Sequence, residues 1–194
     1  MVAPILAVTP SATSWFLDHW APTPPRSADM AKLSSSLGSV LRAELVGAQR
    51  ETGAGAAQIL LAALARAVAR TVGGGVLTVD VEAGESTAHG VALPCAPERE
   101  VSAFDLLAVI RRTLAAGTAA PAPTDVYFAH GPAATAEYRH RLEVHTRLDA
   151  ELADTIFVDW WYDTRSFDAA TVDELAEQFP LALIELTSEG AVAG

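Results

Sequence analysis

Cysteine is almost absent: the 194 residues contain one, Cys95. A lone thiol excludes an internal disulfide and a cysteine-based zinc cluster, and predicts a reducing, cytoplasmic setting. Lysine is equally scarce, Lys32 being the sole one among 13 basic residues. Against them stand 24 acidic residues, for a net charge of −11 and a pI near 4.7. Surfaces that track phosphate need clustered Lys and Arg, so neither nucleic acid nor an anionic membrane is an expected partner. Long apolar runs are missing too. The stretch from Ala56 to Val72 is interrupted by Gln58, Arg66 and Arg70, which argues against a bilayer span. The opening Met1-Val-Ala-Pro-Ile-Leu-Ala-Val lacks a basic residue before its apolar part and meets Pro4 and Pro10, so it does not read as a signal peptide.

What is present is apolar. Hydrophobic residues make up 51% and charged residues 19%, with a mean hydropathy of +0.25, the composition of a packed globule. Thr9-Pro10 offers a cap followed by Pro at a first helical position, predicting a helix over Thr9–Trp20. A strand is expected over Lys32–Leu37, and an amphipathic helix over Ser39–Thr52. In Ala56–Val72, residues Ile59, Leu60, Ala63, Leu64, Ala67 and Val68 form a wide buried stripe. Val76–Glu82 alternates as a strand does, a loop through Gly84 and Thr87 follows, and Gly90–Cys95 is a short apolar strand. Ser102 and Asp105 form a capping box for a helix ending at Ala116.

Further on, Asp125–His130 reads as a buried strand. Leu142–Leu148 and Ile156–Tyr162 alternate and are expected to pair antiparallel. Ala169–Ser188 is the last helix, which Pro180 should kink or shorten. These helices and strands in mixed order predict an α+β or α/β fold, here taken as α+β: a two-layer sandwich of a mixed sheet with helices on one face. The organisation expected is one lobe over 1–194. It comprises an N-terminal helix (1–21), a Pro-rich linker (22–31), a main lobe (32–188) and a tail (189–194).

Several segments, in collinear order, carry a resemblance. Ala57-Gln58-Ile59-Leu60-Leu61-Ala62-Ala63-Leu64-Ala65-Arg66-Ala67 resembles an "xDLLLAALARA" helix. Leu77-Thr78-Val79-Asp80-Val81-Glu82 matches a strand ending in "EGHGRE", Asp125–Gly131 stands at an "FNYLG" strand, and Leu142-Glu143-Val144-His145 at "LEVN". Trp160-Trp161-Tyr162-Asp163 through Phe167-Asp168 to Ala176 fits "WTYSxxxHDxxTVxxLA" without a gap. Together they resemble the C-terminal lobe of the condensation and epimerization domains of nonribosomal peptide synthetases, which implies a chloramphenicol-acetyltransferase-like fold. In that family catalysis rests on an "HHxxxDG" motif whose second His is the general base. None of His19, His89, His130, His140 and His145 stands in such a motif. Glu82 matches the acid/base Glu of epimerization domains, yet the His and Arg that follow it in "EGHGRE" are replaced.

The candidate catalytic residues are Glu82, His130 and His145. Glu82 at a strand end fits either a general acid/base raised by burial or a solvated carboxylate. His130, before Gly131, stands where a pocket could open, and His145 lies mid-strand; each also fits a structural histidine. His140, Glu143 and His145 have no closed metal-site spacing, and no cofactor or metal is expected. Ser34-Ser35-Ser36 and Ser102 lack a nucleophile-elbow context, and Gly73-Gly74-Gly75 follows a helix rather than a strand, the reverse of a phosphate loop. Cys95 reads as an inert buried thiol.

The resemblance implies a truncated, non-catalytic interaction or recruiting module in nonribosomal peptide or related secondary metabolism. It would act as a homodimer or in complex with a synthetase component, carrier protein or tailoring enzyme. The alternative is a small acyltransferase or epimerase-like enzyme acting on carrier-bound thioesters, its site formed at an oligomer interface.

Overall fold

The computed structural model describes residues 15–84, 86–116, 124–131, 139–148 and 155–192. Ten elements follow one another: β1 (Met30–Leu37), α1 (Ser39–Thr52), α2 (Ala56–Thr71), β2 (Gly75–Ala83), β3 (Ser86–Cys95), α3 (Ala103–Ala116), β4 (Val126–His130), β5 (Leu142–Leu148), β6 (Ile156–Asp163) and α4 (Ala169–Val192). The six strands form one mixed sheet in the order β1-β6-β5-β4-β2-β3. β4 is parallel to both β2 and β5, and the other pairs are antiparallel. Among the described residues the count is therefore six strands and four α-helices, an α+β fold.

Strand alternation decides which face is covered. Leu77, Val79 and Val81 of β2, Val126 and Phe128 of β4, Leu142 and Val144 of β5, and Val158 and Trp160 of β6 are buried together with the helices. α2 is the central helix, with ten consecutive buried residues from Ile59 to Val68. It packs on α4, which also meets α1. Burial of this many large aliphatic side chains supplies the main driving force, at roughly 25 cal/mol per Å² of apolar surface removed from water.

Local chemistry explains most boundaries. α1 ends at Gly53, whose φ of +63° closes a left-handed cap with its N–H on the Gln49 carbonyl. α3 starts behind Ser102, whose Oγ accepts the Asp105 N–H at 3.2 Å. At Gly75 an added Cβ would stand 2.7 Å from the Trp15 ring, so only glycine lets that tryptophan seat on β2.

Three expectations change. β3 begins at Ser86, not Gly90, because β2 and β3 form a tight hairpin in which Ala83 pairs with Ser86. Of the two outcomes expected at Pro180, shortening does not occur, since α4 continues through it; buried Val172, Leu175, Phe179, Leu183 and Leu186 lie on both sides of it, and that packing outweighs the lost hydrogen bond. The expected first helix falls mostly outside the described residues, and Trp15–Trp20 runs as a turn and bends. The Pro-rich stretch is tied to the sheet: Arg141 and Arg165 donate to the carbonyls of Ala21, Thr23 and Pro24. It also contains a short 3-10 turn at Ser27–Asp29.

Candidate functional site

Opposite the helices, the same strands present polar side chains. Registry places Asp80 beside Tyr127, Tyr127 beside Glu143, and Glu82 beside Ala129 and then His145. The parity that buries Val79 and Val144 therefore brings Asp80, Glu82, Tyr127, Glu143 and His145 onto one face, helix-free among the described residues. His140, just before β5, folds over this face with its ring stacked on Tyr127 at 5.2 Å and 19°.

The result is a connected network. His140 Nε2 lies 3.1 Å from Asp80 Oδ2, and its Nδ1 lies 3.6 Å from Glu143 Oε1. Glu143 Oε2 lies 3.1 Å from His145 Nε2. Glu143 Oε1 also accepts the Arg139 N–H at 3.0 Å, and Asp80 Oδ1 accepts the Gly90 N–H at 2.8 Å. His89 adds a second imidazole, 3.6 Å from Asp80. At the network's edge, the Tyr127 hydroxyl donates to Glu82 Oε2 at 2.6 Å.

The electrostatics follow from these contacts. Burial works to raise the Glu143 carboxyl, but the hydrogen bonds from His140, His145 and the two backbone N–H groups overcome it and hold it at about 2. For Asp80 burial is again opposed and outweighed, by the Gly90 N–H and His140, so its pKa is lowered. His140 is raised: burial opposes its charge, and the two carboxylates more than compensate. Tyr127 is pushed well up, first by burial and then by its bond to Glu82 and the surrounding carboxylates. The face thus stores negative charge, a hydroxyl that stays protonated and a histidine inclined to hold its proton.

Each of the three sequence candidates has a definite place. Glu82 stands one residue before the end of β2, engaged by Tyr127. His145 is tied to Glu143. His130 turns to the other side of its strand, where Nδ1 meets Thr146 Oγ1 at 2.9 Å and burial lowers its pKa. Glu82 and His130 come together only at a small cleft of about 40 Å³ at the carboxyl ends of β2 and β4, rimmed by Gly84, Ala129 and Gly131. Gly84 and Gly131 hold positive φ there, and the Gly84 N–H bonds to the His130 carbonyl.

Sequence alone does not single out Asp80, Tyr127 and His140 as catalytic candidates. The available signal is the second parity of each strand: Asp80 and Glu82, then Glu143 and His145, recur at every other position. Of the paired tryptophans, Trp160 is fully buried against Phe179, and Trp161 lies on the helix-free face beneath Lys32. Cys95 is buried and its thiol is pushed up to about 12 by desolvation, as an inert thiol requires.

No family model matches the chain. Against solved structures, it superposes on the epimerization domain of the third module of tyrocidine synthetase B with a TM-score of 0.69 and 14% identity. That match covers 96% of this chain and 53% of the other. The X-domain in complex with OxyB from teicoplanin biosynthesis matches with a TM-score of 0.63 and 15% identity, covering 89% and 48%. The condensation domain of the Monacolin K polyketide synthase MokA matches at 0.63 and 13%, covering 84% and 48%.

The fold is therefore condensation/epimerization-domain-like and consistent with the C-terminal lobe. In sequence, the chain is 28% identical over 246 residues to one component of the phenolphthiocerol/phthiocerol polyketide synthase of Mycobacterium tuberculosis, with 94% of this chain covered. The chain spans 16% of that relative's length. The matched length exceeds the chain itself, so the relative carries insertions where this chain is short.

Proposed function

We propose that this condensation-domain-like lobe is a non-catalytic interaction module in nonribosomal peptide or polyketide assembly, and that it works in the cytoplasm by engaging a synthetase component, a carrier protein or a tailoring enzyme. The observation that carries this reading is the size of the cleft between Glu82 and His130. About 40 Å³ holds roughly one water molecule, whereas small-molecule sites span about 300–1,000 Å³. Each candidate acid or base is also spoken for within the chain: Glu82 by Tyr127, His145 by Glu143, His130 by Thr146. The X-domain of teicoplanin biosynthesis, of the same fold, is found in complex with OxyB, which makes recruitment of a tailoring enzyme the natural analogy.

The test pairs binding with turnover. The purified chain is titrated with carrier protein and tailoring enzyme from its own assembly line, and Glu82→Gln and His130→Ala are compared with the parent. A saturable complex that neither substitution weakens is the expected result. Turnover of a carrier-bound thioester that Glu82→Gln abolishes would overturn it.

One observation favours a second reading. Glu82, Tyr127 and His145 lie on the helix-free face, so a second lobe or a second copy of this chain seated there would enclose them in a dry interface. Enclosure would create the acyltransferase- or epimerase-like site that the single lobe leaves open. Sedimentation at micromolar concentration separates the two: a monomer that stays inactive towards carrier-bound thioesters excludes the interface enzyme.

A further inference from the structure

A second cavity lies on the helix side of the sheet, away from the Asp80–Glu143 network. It has a volume of about 420 Å³ and opens between the first turn of α2, the last turns of α3 and the β2–β3 hairpin. Its size falls within the range of ligand pockets. Its walls are small and apolar: Val81 and Ala83 of β2, Ala88 of β3 and Leu114 of α3. Val81 and Ala83 flank Glu82 in sequence, but strand alternation turns them to the opposite face, so this cavity is separate from the cleft described above.

Arg111 and Gln58 are also in the wall. Arg111 Nη2 donates to the Thr52 carbonyl at 2.8 Å, and Nε to Gln58 Oε1 at 3.4 Å. Gln58 Oε1 is itself fixed by the Gly55 N–H at 3.0 Å. These bonds hold the guanidinium plane in place and leave Nη1 with no hydrogen bond to any described residue. A guanidinium with one uncommitted nitrogen, held at the wall of an aliphatic pocket, is complementary to a monoanion carrying an apolar tail. A phosphate dianion would be only half neutralised, because among the described residues no other cation lines the cavity.

We propose that this cavity binds a medium-chain aliphatic carboxylate, its head group on Arg111 and its tail along Val81, Ala83, Ala88 and Leu114. The experiment titrates the full chain with octanoate, octanol and octylamine, using calorimetry together with amide chemical shifts at Gly55, Ala57 and Ala88. Octanoate is expected to bind saturably with shifts at all three amides. Octanol is expected to bind about tenfold more weakly, the equivalent of one charge-assisted hydrogen bond, and octylamine not measurably. Ala88→Leu fills the cavity without touching a hydrogen bond and should abolish octanoate binding while preserving the melting transition. Arg111→Gln should weaken it about tenfold. Absence of saturable octanoate binding, or binding undiminished in Ala88→Leu, overturns the site. Equal affinity for octanol and octanoate overturns the carboxylate assignment.

Discussion

Arg141 and Glu143 stand two residues apart at the start of β5, both almost fully buried, and each anchors a network of a different kind. Arg141 is a permanent cation. Its guanidinium reaches Asp125 at 2.9 Å, Asp163 at 3.3 Å, Ser166 at 2.8 Å and the Ala21 carbonyl at 2.5 Å, with Trp20 over its face. Arg165 binds the same Asp163 and continues to Thr23 and Pro24. These bonds fasten the Pro-rich stretch to the start of β5 and the end of β6. Glu143, by contrast, is surrounded by histidines, groups that change charge between pH 5 and 8. One network bolts the chain; the other responds to its surroundings.

The largest effect should come from removing the bolt. Arg141→Met leaves Asp163, fully buried, with only part of its partners, and frees the carbonyl of Ala21. Breaking a buried ion pair in this way costs about 3–5 kcal/mol, to be read as a drop in the urea midpoint. The loss should be flat from pH 5 to 8, since the bonds from Arg165 and Ser166 outweigh burial at Asp163 and hold its carboxyl below the ordinary carboxylate value. A loss under about 1 kcal/mol would place Arg141 with ordinary surface charges and end the comparison.

Glu143→Gln comes next. The amide oxygen can still accept the Arg139 N–H, so the change isolates charge from geometry. Its cost is expected to be about 2 kcal/mol and to depend on pH. Glu143 falls from an ordinary 4.5 to about 2 in the fold, so its contribution is complete above 4.5 and fades as pH drops towards 2. His140 is raised above its ordinary 6.5, so its contribution is complete below 6.5 and is lost as pH climbs through the raised value. The difference between parent and variant should therefore be largest between about pH 4.5 and 6.5. Buried His130, whose lowered pKa acts in the opposite sense below 6.5, cancels in that difference. In the same variant, NMR titration should show His140 releasing its proton at lower pH. An unmoved His140 would mean that Asp80 alone holds it.

How much of this was legible beforehand depends on range. Helices α1, α2 and α3 lie where their stripes and caps predict, because a 3.6-residue period and a Ser102 cap are local. The candidate face was half legible. Alternation in Val76–Glu82 and Leu142–Leu148 already put Glu82 with Asp80, and His145 with Glu143. What joins the two pairs is β4, inserted parallel between β2 and β5, and nothing near Tyr127 in sequence specifies those neighbours. Arg141 was illegible for the same reason: its partner Ala21 is 120 residues away. At Pro180 the shortening that the residue allows is overruled, since buried residues lie on both sides of it in one helix.

The smallest effect tests where the responsive network ends. Tyr127 touches both of its histidines, stacking on His140 and tilting against His145 at 5.5 Å, and its hydroxyl donates to Glu82. Tyr127→Phe keeps the ring and removes only that donor, which should cost about 1 kcal/mol. If Glu82 belongs to the network through the hydroxyl alone, the variant should leave His140 where it was. If His140 moves as far as it does in Glu143→Gln, the stacked ring and the hydroxyl act as one unit, and the boundary drawn between Glu82 and the histidines is wrong. Either way the Arg141 cluster, which shares no hydrogen bond with Tyr127 among the described residues, should be unchanged, and hydrogen exchange at Asp163 and Ser166 would report it.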